Sequence, residues 1–327
     1  MYRLVCAGLF ILLGFLSITI CMDAKENYSS VSKLKIPNFN ESGHLDWELH
    51  AATVSPQGND LFLTTDPILY LYSDQLIETT AKSERGVFSL RLGQAYGDGI
   101  FNVEGNGFTA TGKDWIWNNS TKRGENQISF RQRSVVRFKE GLGSFFAMDT
   151  KKHKFSCDSE INNEKKNDSN KSLKLTVAEA DYLEFLSIEE NSHRFLLDGN
   201  VSIEGINLFL TCEKMEVLFN KDENASSSPV GKISMIYATG DIILKQDGRT
   251  SYSNTMTLDL REGTAYLRGN ARVVDDEWGE AVGETIILEK GKRMAKVLGG
   301  KNGRPKLELP PLPDLGFRTH PKNTKAK

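Results

Sequence analysis

Cysteine is scarce and badly placed for a covalent scaffold. The 327-residue chain has four, and two of them, Cys6 and Cys21, lie at the extreme N-terminus. Cys157 and Cys212 could pair in an oxidising compartment, but their spacing does not ask for it. No cysteine spacing suits a metal. Excess charge of one sign is also missing. With 41 basic and 43 acidic residues the formal net charge is −2, so nothing draws the whole molecule to nucleic acid. No phosphate-binding loop is present, since "GLGSFF" at Gly141–Phe146 lacks the rest of such a motif and reads as a turn. There is no Gly-x-Ser-x-Gly elbow. Carboxylates are abundant but surface-patterned, which leaves glycoside hydrolysis without an anchor. His44 and His50 would share a strand face but lack a third ligand, and "DDEWGE" at Asp275–Glu280 reads as an exposed hairpin turn. The expectation is a protein that is not an enzyme and holds no cofactor or metal.

Helical periodicity is nearly absent after Ile20. Before that point stands the one long apolar run, Leu4–Ile20, with Arg3 ahead of it and Asp23 and Glu26 behind. Its length lies between a signal-peptide core and a short membrane span. The flanking charges orient the rest of the chain outward. Residues 1–22 therefore read as an apolar helix serving either as a signal peptide, cut before Met22, or as a membrane anchor. Both carry the remainder out of the cytoplasm.

From Leu34 onward the chain reads as strand upon strand. "NQISFRQRSVVRFKEG" sets Ile128 two from Phe130 and Val136 two from Phe138, the alternation of half-buried strands. Val177–Leu186 reads equally as helix or strand. The polar stretch "CDSEINNEKKNDSNKS" at Cys157–Ser172 reads as a linker. It divides an N-terminal β region, 33–156, from a C-terminal one, 173–300, and a Pro-rich basic tail closes the chain at 301–327. Lys221–Gly231 reads as a long hairpin loop.

One small pattern recurs in the C-terminal region: "GNVSI" at Gly199, "GDIIL" at Gly240 and "GNARV" at Gly269. Around each, apolar residues share a face and polar ones share the other. The inward set is Val201, Ile203, Leu208, Leu210, Met215, Val217, Ile242, Leu244, Met256, Leu258, Leu260, Leu267, Val273, Ile286 and Leu288. Ile206 aligns with the same face. The outward set includes Lys245, Asp259, Arg261, Asn270 and Arg272. Each unit is thus an antiparallel hairpin with one greasy and one wet face. The glycine is expected on the greasy face, where a strand bends or a backbone comes close. Such repeats stack so that neighbours bury one another. Their opposed faces either touch, making a dry core, or stand apart, leaving a trough. The inward set is aliphatic, Met-bearing and poor in aromatics, which suits acyl chains.

Phe195–Asn220, Lys232–Leu260 and Gly263–Leu288 resemble the OstA-like family of lipopolysaccharide-transport bridge proteins. The leader, "IPNFNESGHLDWELHAATV" and "VEGNGFTATGKDWIWN" resemble the family's membrane-anchored, LptC-type component. The inserts at Cys157–Ser172 and Lys221–Gly231 and the Pro-rich tail depart from the family pattern. The resemblance implies an open, twisted β-jellyroll folded like a taco shell, with acyl tails in an apolar groove and sugars outside. It implies three kinds of partner. These are lipopolysaccharide or a similar lipid, other jellyroll proteins added edge to edge, and an inner-membrane transporter complex. The edges are expected near Lys35–Thr53 and Gly283–Gly299. Two rivals remain: a structural β protein with a filled core, and a carbohydrate-binding one using Trp115 and Trp117 as a stacking platform.

Overall fold

Alternating residues become strands from Val31 to Glu308. The computed structural model describes residues 30–58, 60–73, 75–120, 125–139, 142, 175–188, 192–221, 231–246, 248–292, 295–300 and 303–309. The expected N-terminal helix, the Cys157–Ser172 linker and most of the tail lie outside these. The described chain is all-β: 22 strands in one hydrogen-bonded sheet. Every pairing between strands is antiparallel, as for a protein of hairpins.

The sheet has two arms that share a crease. Val31–Phe39 pairs with Leu45–Pro56, whose two halves each start an arm. The first arm continues through Leu61–Thr65, Arg85–Ser89, Gln94–Gly97, Trp115–Ser120, Glu125–Phe130 and Tyr182–Ile188. The second runs through Ile68–Ser73, Leu76–Ser83, Phe101–Gly105, Phe108–Gly112, Ser134–Phe138 and Thr176–Ala180. Both arms then meet Ser192–Gly205, the first of six long strands that run through the two arms. Pairing passes unbroken from Glu125–Phe138 to Thr176–Ile188, so residues 139–175 connect strands that are already neighbours. Lys221 likewise pairs with Gly231 across the second insert.

The recurring glycines mark the crease. Gly199-Asn200, Gly240-Asp241 and Gly269-Asn270 all have positive φ, between 39° and 81°. Glycine adopts this freely, and Asn and Asp tolerate it best among the others. At each pair the register shifts. Asp198 pairs with Lys214 and Val201 with Cys212, so Gly199 and Asn200 together oppose Glu213 alone. Such a bulge bends a strand. In the shorter strands the same line is drawn by breaks, where Asp66 donates its N–H to the Glu84 carbonyl at 2.8 Å and Asp181 donates to Gly199 at 3.0 Å. The expectation that these glycines sit on the greasy face is corrected. A Cβ at Gly240 would fall 2.3–2.5 Å from the Glu213 carboxylate and stem. At Gly269 it would meet Asn254, and at Gly199 Asp181. The bare side faces a polar column along the outside of the fold, formed by Asp181, Glu213 and Asn254.

Two glycines make an internally controlled pair. Gly240→Ala combines positive φ with the Glu213 clash, whereas Gly291→Ala has positive φ (69°) and nothing within 4 Å. Gly291→Ala is expected to cost about 1 kcal/mol and Gly240→Ala about 1–2 kcal/mol, since the exposed Glu213 side chain must also swing aside. Urea unfolding of both variants checks the difference. Equal midpoints would remove the steric role of the crease.

Candidate functional site

The fifteen residues expected to face inward come together. Val201, Ile203, Met215, Val217, Ile242, Leu244, Met256, Leu258, Leu267 and Ile286 are each at most 2% exposed. Leu208, Leu210, Val273 and Leu288 are buried nearly as deeply, and Leu260 is partly buried against the same cluster. The interior also takes Ile233, Ile236, Ala238, Ala265 and Ala271. Cys212 is a free thiol inside the second arm, and burial pushes its pKa up to about 12.

The trough reading required these faces to stand apart. In this structure they are closed: residues at zero exposure border no space that would admit even water. Much of the closure is aromatic, which the inward set of the C-terminal region alone did not suggest. Rings from opposite arms touch. Trp47 meets Trp117 edge-on at 5.2 Å, and Phe101 stacks on Trp115 at 4.1 Å. Phe108 meets Phe185 at 5.1 Å and Phe195 at 4.9 Å, and Phe138 meets Phe195 at 5.3 Å. Trp115 and Trp117 are 2% and 0% exposed, so the stacking platform proposed for them is not available to a sugar. These rings wall the fold from its N-terminal end to Phe219. Beyond Phe219 every buried hydrophobic residue in the described chain is aliphatic or Met.

Polar contacts also tie the arms together in the walled part. Asn119 donates to the Asp46 carboxylate at 3.1 Å, and His193 Nε2 lies 3.4 Å from Glu78 Oε1. Burial raises the Asp46 carboxyl above its usual range, an effect partly offset by the amides of Asn119, Asn38 and Asn126.

At the C-terminal end the fold opens. A cavity of about 810 Å³ is lined by Val273, Ala281, Ala295, Val297, Leu307 and Leu309, among others. Val273 belongs to the core, so the cavity reaches it. Trp278, 60% exposed, stands at its rim on the Asp275–Gly279 turn. Arg249 and Asp275, both nearly buried, pair at 3.2 Å beside it. The sequence reading missed Ala295, Val297, Leu307 and Leu309, though their two-residue spacing carried the signal. Leu307 belongs to Lys306–Glu308, a strand on Glu280–Val282, inside the stretch read as tail.

The edges fall close to where they were expected. Among the described residues Val31–Phe39 pairs only with Leu45–Pro56, and Ala295–Leu298 and Lys306–Glu308 only with Gly279–Glu289. Ile206, expected on the greasy face, is instead 41% exposed at a turn, where the alternation of the flanking strands ends. His44 is exposed, and His50 lies 2.7 Å from Glu48. Among the described residues no group of three or more His, Cys, Asp or Glu could hold a metal. No helix in them is long and apolar enough to cross a membrane.

No family model matches the chain, and no curated protein matches it. Among solved structures it is similar to LptH, the LptA-homologous periplasmic component of the lipopolysaccharide transport device of Pseudomonas aeruginosa. The two are 15% identical, over 37% of this chain and 85% of that one, with a TM-score of 0.29, at which the likeness carries no argument.

Proposed function

We propose that this protein is a periplasmic lipid conduit for lipopolysaccharide or a similar acylated glycolipid, whose tails lodge between the two arms beyond the aromatic wall. The observation that carries this reading is the interior from Ile233 to Leu288, whose buried hydrophobic residues are all aliphatic or Met, interrupted by the small buried Ser251 and Ser253, and which meets an apolar cavity at the C-terminal end. A buried acyl chain gains about 0.8 kcal/mol per CH₂. Separating the arms exposes apolar side chains, but the tail covers them again. The exchange is apolar surface for apolar surface and close to neutral. Among the described residues the arms share strand pairing only through the strands that cross the crease, so separation needs no sheet to break. Sugars and phosphates stay outside. The edges at Val31–Phe39 and Ala295–Leu298 are where jellyroll partners, and through them an inner-membrane transporter, would add strands.

Near-zero exposure across the interior favours a second reading, a structural β protein whose core is permanently filled. Photo-crosslinking separates the two. With a photoreactive residue at Leu258 or Ile242 and purified lipopolysaccharide, the conduit yields lipid adducts, and the same probe at outward Arg272 yields few. No adduct at either inward position supports the filled core and ends the conduit reading.

A further inference from the structure

A second cavity, also about 810 Å³, lies on the outer face of the first arm. Strand register builds its floor: Leu63 stands opposite Val87, Val87 opposite Tyr96, and Tyr96 opposite Ile116. Gln94 stands opposite Asn118 on the same face, one row toward the lip. Arg85, Asp98, Asp114 and Arg131 line the other side, at the crease. Beneath, Gly86 and Gly97 keep the strands bare against Trp115. A Cβ at Gly86 would fall 2.9 Å from the indole, and one at Gly97 would fall 2.8 Å from Nε1. Trp115 also lines the cavity, and its buried Nε1 has no hydrogen-bond partner.

We infer that this groove binds a neutral saccharide. Tyr96 is 45% exposed and lies over an apolar floor. Such a surface matches the C–H face of a pyranose, while a phenol, two amides and two carboxylates match its hydroxyls. Two guanidiniums balance two carboxylates, so the groove offers no net charge to a phosphate, a sulfate or nucleic acid. Among the described residues none of these four charged groups makes an ion pair with protein, so none is already committed to a partner charge. This site stands apart from the lipid reading. Along the first arm it lies on the order of 40 Å from the C-terminal mouth, counted in strand spacings.

Calorimetric titration of the full chain with chitotetraose, cellopentaose and maltopentaose tests the assignment. At least one is expected to bind saturably, with an affinity insensitive to salt. Tyr96→Ala and Asn118→Ala, each exposed or half-exposed and checked for an unchanged unfolding midpoint, should weaken it by about fivefold or more, and Tyr96→Phe should retain most of it. No binding by any of the three overturns the site, and so does binding untouched by Tyr96→Ala and Asn118→Ala. Binding confined to a sulfated or phosphorylated analogue, and lost in Arg85→Ala, overturns its neutral character.

Discussion

Phe108→Ala is expected to lose about 3–5 kcal/mol of unfolding free energy, with a lower urea midpoint and an unchanged slope. The ring is wholly buried, and it meets Phe185, Phe195, His193 and Phe219 with centroids 4.9–5.9 Å away. Gly105 opposite is packed against it so closely that a Cβ there would lie 2.1 Å from the ring. A site held from several sides collapses little, so most of the removed volume stays as a void. The substitution has a second consequence. Phe108 belongs to the wall that separates the aliphatic interior from the N-terminal half. Removing it should carry lipid crosslinks past the wall to a probe at Val103, where the parent protein is expected to give none. A variant that loses less than about 1 kcal/mol would mean the wall is not tightly packed. A parent protein that crosslinks at Val103 would mean tails already pass it.

Leu258→Asp is expected to destabilise by about 3–5 kcal/mol at neutral pH, the range for an uncompensated buried charge. Leu258 is 1% exposed, and its cross-strand neighbours are Ile236 and Ala265, which offer no hydrogen bond to a carboxylate. The new carboxyl would therefore titrate above the ordinary carboxylate range. A raised folded-state value means the folded protein holds the proton more tightly than the unfolded one. The loss should then shrink as pH falls through that raised value. Arg272→Glu is the outward control. Arg272 is exposed and pairs with Glu280 at 2.7 Å, so its loss should barely move the midpoint. Under conditions where both variants stay folded, adducts from Ile242 should vanish in Leu258→Asp and persist in Arg272→Glu. Equal loss in both, at equal folded yield, would sink the conduit.

How much of this could be read beforehand depends on the range of the interaction. The inward positions of the C-terminal strands followed from two-residue alternation, which is local, and all fifteen are buried or partly buried. The glycine pairs announced a bend by their spacing alone. Their bare side was misjudged because Glu213, Asn254 and Asp181 arrive from neighbouring strands. Trp115 and Trp117 did share a face, but nothing near them in sequence says whether that face meets solvent or Phe101 and Trp47.

The sequence by itself determined that this chain is a succession of antiparallel hairpins, greasy on one face and creased at repeated Gly-Asn and Gly-Asp pairs. Backbone conformation and side-chain period act over a few residues and need no partner. Only the tertiary structure decided whether the greasy faces close on each other, where aromatic rings wall the interior, and at which end it opens. Those outcomes depend on contacts such as Phe108 with Phe195, between residues distant in the chain that the crease brings face to face.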